Sequence, residues 1–385
     1  MSIRGTLSPT PTVAVIGAGV IGLAIAWRLA QRGARVTVFD KGTAGSGATH
    51  AAAGMLAAHL EAEPREENLV ALNRASQQLW PEFARELEAA SGLPCDLRTE
   101  GTLLLALTGD DQSRLKHVLA FQKSLGLPLE WLSTAEVRNR EPHLTPSISG
   151  AIFSPQDHQV DNRAVAIALR AAGLKAGVTL REKTPVERIV TSDGRATGIG
   201  IAGETIASDI VILAAGAWSR AIDGLPKAAL PPVRPVKGQM LALRMDPTAP
   251  LLSHVVWAPG AYLVPRNDGR LLIGATVEEK GFDPTLTAGG QLALLEATWR
   301  ALPGIEELPI HEQWVGFRPG SRDDAPIIGE SEVPGLVFAT GHYRNGILLA
   351  PITAEAIATL VMDGTVDPRM TNFGFERFAQ AVAAE

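Results

Sequence analysis

The stretch from Val13 to Asp40 constrains this chain more than any other. Val13-Ala-Val-Ile16 is a short, apolar, largely β-branched run, as a strand buried on both faces requires. Gly17, Gly19 and Gly22 follow in G-x-G-x-x-G spacing. The first allows a tight turn, the second lets backbone approach a pyrophosphate, and the third lets helix pack on strand. Leu23–Gln31 is apolar and Ala-rich, Gly33 stands where a helix ends, and Arg35–Phe39 reads as a second strand closed by Asp40. An acid there reaches the ribose hydroxyls of an adenosine. The motif alone is common, but strand, helix and acid in this order predict a dinucleotide site built from Gly17, Ala18, Gly19, Val20, Ile21, Gly22 and Asp40. FAD and NAD share this phosphate cradle, and the stretch does not choose between them.

Two further segments belong beside it. Lys41 to Met55 is dense in small residues, among them Ser46, Gly47, Ala48, Ala52, Ala53 and Gly54. Either it is a flexible linker or its backbone closes on a flat ligand. Ile210–Ala214 is another buried strand running directly into Ala215-Gly216-Ala217-Trp218. Open α/β sheets bind ligands at the carboxyl ends of such strands.

The rest of the chain alternates in style. Residues 66–90 have apolar positions at helical spacing, with a possible break at Pro81, and 111–125 reads as a helix capped by Asp110 or Asp111. Gly150–Phe153 and Val178–Leu180 are expected strands flanking a helix over 161–176, and Ser192–Gly194 signals a hairpin. From Pro231 to Arg318 the pattern is sheet with one helix over 287–301. A strand at 335–339 and a helix over 347–362 then return to the first style. The fold class is therefore mixed α/β: a Rossmann-like nucleotide domain (about 1–92, 150–232 and 322–385) interleaved with an antiparallel-sheet domain (about 93–149 and 233–321).

Composition excludes several functions. The 385 residues are 46% hydrophobic and 20% charged, enough for two ordinary globular domains with large cores. The net charge of −6 and the lack of a basic cluster argue against a nucleic-acid partner. Val13–Trp27, the longest apolar stretch, falls short of the roughly 20 residues a membrane helix needs. Met1–Pro11 lacks the pattern of a secretory signal, and the single Cys95 forms no internal disulfide, so a cytoplasmic location is expected. There is no zinc-ligand spacing and no Gly-x-Ser-x-Gly, and the eight histidines are scattered. No metal is expected, and without an evident acid or base the difficult step belongs to the cofactor.

Three arginines lie in unusual surroundings: Arg266 after Tyr-Leu-Val-Pro, Arg318 in Gly-Phe-Arg-Pro-Gly, and Arg344 in Gly-His-Tyr-Arg-Asn-Gly. Any one could be a surface ion pair. Arg318, set among Trp314, Phe317 and Pro319 rather than charges, suits bidentate capture of a small carboxylate. The only two tyrosines, Tyr262 and Tyr343, fall in the same segments.

Taken together, Val13–Asp40, Gly45–Met55, Pro235-Val-Lys-Gly-Gln239, Tyr262–Arg266, Gly274-Ala-Thr276, Gly316–Gly320 and Gly341–Pro351 resemble the glycine oxidases. These are D-amino-acid-oxidase-like flavoenzymes associated with thiamine biosynthesis, and the resemblance covers nearly the whole chain in order. It implies non-covalent FAD and hydride transfer from the α-carbon of glycine, sarcosine or another small amine to flavin N5. The imino acid goes on to glyoxylate and ammonia, and dioxygen to hydrogen peroxide. It implies that Arg318 and Tyr262 hold the substrate carboxylate, with Arg344 and Met55 in the same pocket. It also places Val186, Ala214, Ala215, Gly216, Trp218, His342, Tyr343, Asn345, Gly346, Ile347 and Leu348 with Lys41 at the flavin, and suggests a homotetramer. Val277 and Gly260 stand where the family carries methionine and histidine. His50 lies one position from where a related group attaches FAD covalently. A quinone-linked dehydrogenase, a non-catalytic flavoprotein and an NAD-dependent enzyme remain as alternatives.

Overall fold

The structure is a computed structural model describing residues 10–378. The expectation for the N-terminal segment therefore lies almost wholly outside the described residues.

The first sheet has six strands in the order β18 (Ile327–Glu330), β19 (Leu336–Thr340), β12 (Ile210–Leu213), β1 (Thr12–Ile16), β2 (Arg35–Phe39) and β8 (Thr179–Arg181). All neighbours are parallel except β18 with β19. β1 and β12 are buried almost throughout, which is why their sequences are continuous apolar runs instead of alternating ones. Helices α1 (Val20–Gln31), α3 (Glu67–Ser91), α6 (Asn162–Lys175) and α8 (Ala350–Asp363) pack together and enclose one core with this sheet.

The second sheet has eight strands in the order β17 (Ile310–Gly320), β13 (Arg234–Arg244), β16 (Arg270–Gly274), β15 (Ala261–Pro265), β14 (Val255–Ala258), β4 (Thr102–Ala106), β6 (Gly150–Ser154) and β5 (Glu130–Leu132). It is antiparallel apart from the β14–β4 pair. Its other core includes residues of α5 (Thr134–Arg140) and α7 (Ala288–Ala301), while α4 (Gly109–Ser124) packs on β4 and β6. A three-stranded sheet of β9 (Arg188–Ser192), β10 (Arg195–Ile201) and β11 (Glu204–Ala207) contains the expected hairpin. The short pair β3 (Met55–Leu56) and β7 (His158–Gln159) and the one-turn α2 (Ala48–Ala51) complete the elements near the site.

Several expectations need correcting. The long helix is not broken at Pro81. Trp80, Phe83 and Leu87 around it are buried, Phe83 contacts Trp27 and Trp80 edge-on, and Trp80 Nε1 donates to Leu348 O at 2.9 Å. That packing outweighs one missing backbone bond. The cap of α4 is Thr108, with Asp111 as the returning acid of a capping box, because a cap must precede the first helical turn. Helix α8 begins only at Ala350, so Ile347–Leu349 form the turn entering it. Gly150, placed by its sequence with the first sheet, opens β6 in the second. Strands β5 and β18 and helix α5 escaped notice, since each is too short for its periodicity to register.

Candidate functional site

A cavity of about 690 Å³ opens at the carboxyl ends of β1 and β12 and runs to the face of the second sheet. Its start is set by close packing. Gly17 has φ +107°, and a Cβ there would lie 2.4 Å from Ala214 O; at Gly22 it would lie 1.9 Å from Gly17 O. Gly19 is the N-cap of α1, and Thr49 Oγ1 accepts the Val20 N–H at 2.9 Å. Gly19, Val20 and Ile21 line the cavity, so the positive end of the α1 dipole faces it. Asp40 accepts from the amides of Ala18 and Gly42, both at 2.7 Å, which ties the glycine turn to the loop after β2.

The small-residue segment is no free linker. Ser46 to Ala48 and Ala51 to Met55 form one wall, Val186 and Ala214 to Trp218 another, and His342 to Ile347 a third. Lys41 Nζ sits 3.6 Å from the Trp218 ring centroid, and Trp218 stacks on Phe282 at 4.9 Å. Ala18, Gly22 and Leu348, expected at the cofactor, do not line the cavity. Ala18 is buried and gives its amide to Asp40, Gly22 is the helix-to-turn contact, and Leu348 O accepts from Ser76 and Trp80. His50 does not line the cavity either.

At the far end, register assembles the site. β13 and β17 pair Val236 with Arg318 and Gly238 with Gly316, while Gly274 is opposite both Met240 and Tyr262. The glycines make the room. A Cβ at Gly238 would lie 2.6 Å from Arg318 Nη1, and one at Gly274 2.3 Å from Met240 Sδ and 2.6 Å from the Tyr262 ring. Arg318 Nη1 donates to Thr276 O at 3.1 Å, and Tyr262 Oη donates to Met240 Sδ at 3.2 Å. Burial pushes the Tyr262 phenol up, against the pull of Arg318, so it stays a hydrogen-bond donor at neutral pH. One half-buried guanidinium and one phenol thus meet in an otherwise apolar wall with Met55 and Trp257.

Arg266 is elsewhere. It is buried and donates to Gln159 Oε1, Asn162 Oδ1 and Ala53 O at 2.7–2.9 Å, so it braces the floor of the small-residue loop. Arg344 lines the cavity but turns its charge to Glu61, at 3.0 Å, and also to Glu63 and Glu66. Glu61 was not foreseen. It is the carboxylate at the arginine end of the cavity, and burial pushes it up to about 7 despite Arg344 and Arg318. In sequence it is one acid in the run Glu61-Ala-Glu-Pro-Arg-Glu-Glu67, which nothing local distinguishes from a solvated helix start. His342 also lines the cavity; burial takes it down to about 3, and Nε2 lies 3.1 Å from Thr353 Oγ1, so it remains neutral. Cys95 is buried and pushed up to about 12, which leaves it an inert thiol. Among the described residues no group of acids, histidines and cysteines could hold a metal, and no helix is long and apolar enough to cross a membrane.

The chain is 40% identical over 352 residues to the glycine oxidase of Geobacillus kaustophilus, covering 91% of this chain and 92% of that one. It is 38% identical over 372 residues to the bifunctional protein ThiO/ThiG of Trichormus variabilis, covering 96% of this chain and spanning about half, 55%, of that relative. The crystal structure of the Geobacillus kaustophilus glycine oxidase superimposes with a TM-score of 0.87 at 38% identity, over 95% of this chain and 98% of that one. The model of the FAD dependent oxidoreductases, the DAO family, matches residues 12–360. A glycine-turn cradle joined by one cavity to an arginine–tyrosine wall agrees with that match over most of the chain: this protein belongs to the DAO family of FAD dependent oxidoreductases.

Proposed function

We propose that this protein holds FAD non-covalently and oxidises glycine and small amines such as sarcosine, giving an imine that hydrolyses to a 2-oxo acid and ammonia, or to methylamine in place of ammonia from sarcosine. The observation that carries this is the single cavity joining the Gly17–Ile21 turn to Arg318 and Tyr262. The residues fit an FAD. The two glycines whose Cβ atoms would strike backbone set the turn, a helix N-terminus faces the pyrophosphate position, and nothing lies within 4 Å of a Cβ at Gly47. Asp40 would meet the adenosine ribose, and the small-residue loop and residues 342–347, which line the same cavity, would meet the ring system. That His50 is off the cavity supports non-covalent binding.

Arg318 and Tyr262 would grip the substrate carboxylate, fixing the amino acid end-on and presenting its α-carbon to the cofactor. Glu61 would take a proton from the substrate ammonium, since an amine must carry its lone pair to become an imine. Arg344, neutralised by three glutamates, would hold Glu61 in place. The apolar wall of Met55, Tyr262 and Trp257 would exclude water. FAD, when bound, supplies a two-electron acceptor for the α-C–H bond, with dioxygen as final acceptor. Gly260 and Val277 line the cavity, and Val277 is largely exposed, so the preferred amine is set at that mouth. The two interleaved units divide after Ser154, which leaves about 93–154 and 233–321 to the substrate side and the rest to FAD. A role in forming a thiamine precursor, as a homo-oligomer, is what the family resemblance supports, and a cytoplasmic location is what the single Cys95 supports.

The test is the visible spectrum of the purified protein before and after anaerobic glycine, with peroxide measured under air. Bleaching by glycine and peroxide release are expected. A yellow protein that no small amine bleaches, or a colourless one, overturns the reading.

A further inference from the structure

Behind Glu61 lies a buried polar cluster that the proposed reaction does not use. Asp157, in the turn between β6 and β7, is fully buried, and His59 and Ser154 are buried with it. Asp157 Oδ1 accepts from the His59 backbone N–H at 3.0 Å and from Gln77 Nε2 at 2.9 Å, while Oδ2 accepts from the Leu60 N–H at 2.8 Å. His59 Nδ1 is 3.4 Å from Oδ1 and 3.5 Å from Ser154 Oγ. Burial lowers the proton affinity of His59, so it stays neutral near pH 7 and Asp157 faces N–H dipoles rather than a full countercharge. The carbonyl side of the same segment is held as well. Gln77 Nε2 donates to Leu56 O at 2.8 Å, and Gln122 Nε2 to Leu60 O and Ala62 O at 3.2 and 3.3 Å.

A buried carboxylate is costly, and two consecutive backbone amides on its two oxygens are a specific use of it. The residue immediately after those amides is Glu61. We propose that Asp157 is a positioning residue for the reaction: by clamping the amides of His59 and Leu60 it turns the chain so that the Glu61 carboxylate enters the cavity beside Arg344 and the substrate amine. This rests on the role given to Glu61 above. The Asp157 charge has a second effect on Glu61. That carboxylate faces Arg344 from the loop before α8, Arg318 from β17, Tyr262 from β15, Glu63 on the way into α3, and Asp157 from behind, while Glu66 shares Arg344 with it. Burial does most to hold its proton, and Asp157 adds to it.

The experiment is a double-mutant cycle of Asp157→Asn and Glu61→Gln on the FAD-loaded enzyme, following kcat/KM for glycine against pH together with the flavin spectrum. An asparagine would set an NH2 against the Leu60 N–H. Asp157→Asn is expected to keep its flavin, lose at least about tenfold in plateau kcat/KM, and move the acid limb to lower pH. The double variant is expected to be no worse than Glu61→Gln alone, because both changes break one device. An unmoved acid limb, or losses that multiply, overturns the proposal. Should Asp157→Asn not fold, Gln77→Met removes one donor and leaves the charge. In the same cycle it is expected to cost a few-fold without adding to Glu61→Gln, and multiplying losses there also overturn the proposal. If Glu61→Gln keeps the native pH profile, the proposal falls with Glu61, whereas loss of glycine turnover in the unaltered enzyme is what sinks the activity itself.

Discussion

The two ends of the cavity are built by different means. At the nucleotide end, the turn, helix and acid come from one contiguous stretch, 12–42, and the parts touch because they are neighbours in the chain. At the carboxylate end, Tyr262, Gly274 and Arg318 come from three strands, Glu61 from a loop far upstream, and only strand register and loop clamping bring them together. The first end is an inherited local motif that many chains share. On the function proposed above, the second sets what this chain acts on, and it is vulnerable to any change that shifts register or fills the space a glycine leaves.

Variants can pull the two ends apart. The largest effect is expected for Arg318→Ala: losing a charge partner in the closed site costs about 2–5 kcal/mol, so kcat/KM for glycine should fall roughly thirtyfold to a few thousandfold. The flavin spectrum should be retained, and near-native kcat/KM would remove Arg318 from the site. Gly22→Ala is the mirror case. With 1.9 Å between its Cβ and Gly17 O, the turn must shift, costing about 1–3 kcal/mol of stability and most of the bound flavin; FAD content and thermal unfolding check it. Gly238→Ala is subtler. The added methyl displaces the Arg318 guanidinium 2.6 Å away, so KM should rise by about tenfold with FAD content unchanged.

The smallest effect is one of pH. Glu61, pushed up to about 7 by burial, must be ionised to take a proton, so kcat/KM should fall as pH drops below about 7, and Glu61→Gln should lose that acid limb. The same group carries a stability signature. Its raised pKa means its contribution is fully present below the ordinary carboxylate range and is lost as pH rises through about 7. Glu61→Gln should therefore narrow the difference in melting temperature between pH 5 and pH 8. An acid limb that survives in Glu61→Gln must come from another group.

What was legible follows the same division. The βαβ unit, the strand into Ala214–Trp218 and the interleaving of parallel and antiparallel blocks could be read because burial on both faces and turn glycines write themselves into short contiguous patterns. Arg318 stood out because an arginine between Phe317 and Pro319 at the end of a strand has no neighbouring charge to explain it. Arg266, after the apolar Tyr-Leu-Val-Pro, also stood out and proved to be a brace, since sequence shows an arginine's surroundings along the chain but not which carbonyls it meets in space. Glu61 was invisible: its ion partner is Arg344, far along the chain, and its direction comes from the clamp at Asp157.

Along the chain alone one can read a glycine turn with its helix and acid, and an arginine-bearing sheet, which prove to line one cavity. Tertiary structure alone decided that Gly238 and Gly274 open room for Arg318 and Tyr262, that Arg344 is turned to three glutamates, and that a carboxylate enters the cavity. Local patterns record backbone conformation and burial, whereas distances between residues far apart in the chain exist only once strand register and loop clamps are set.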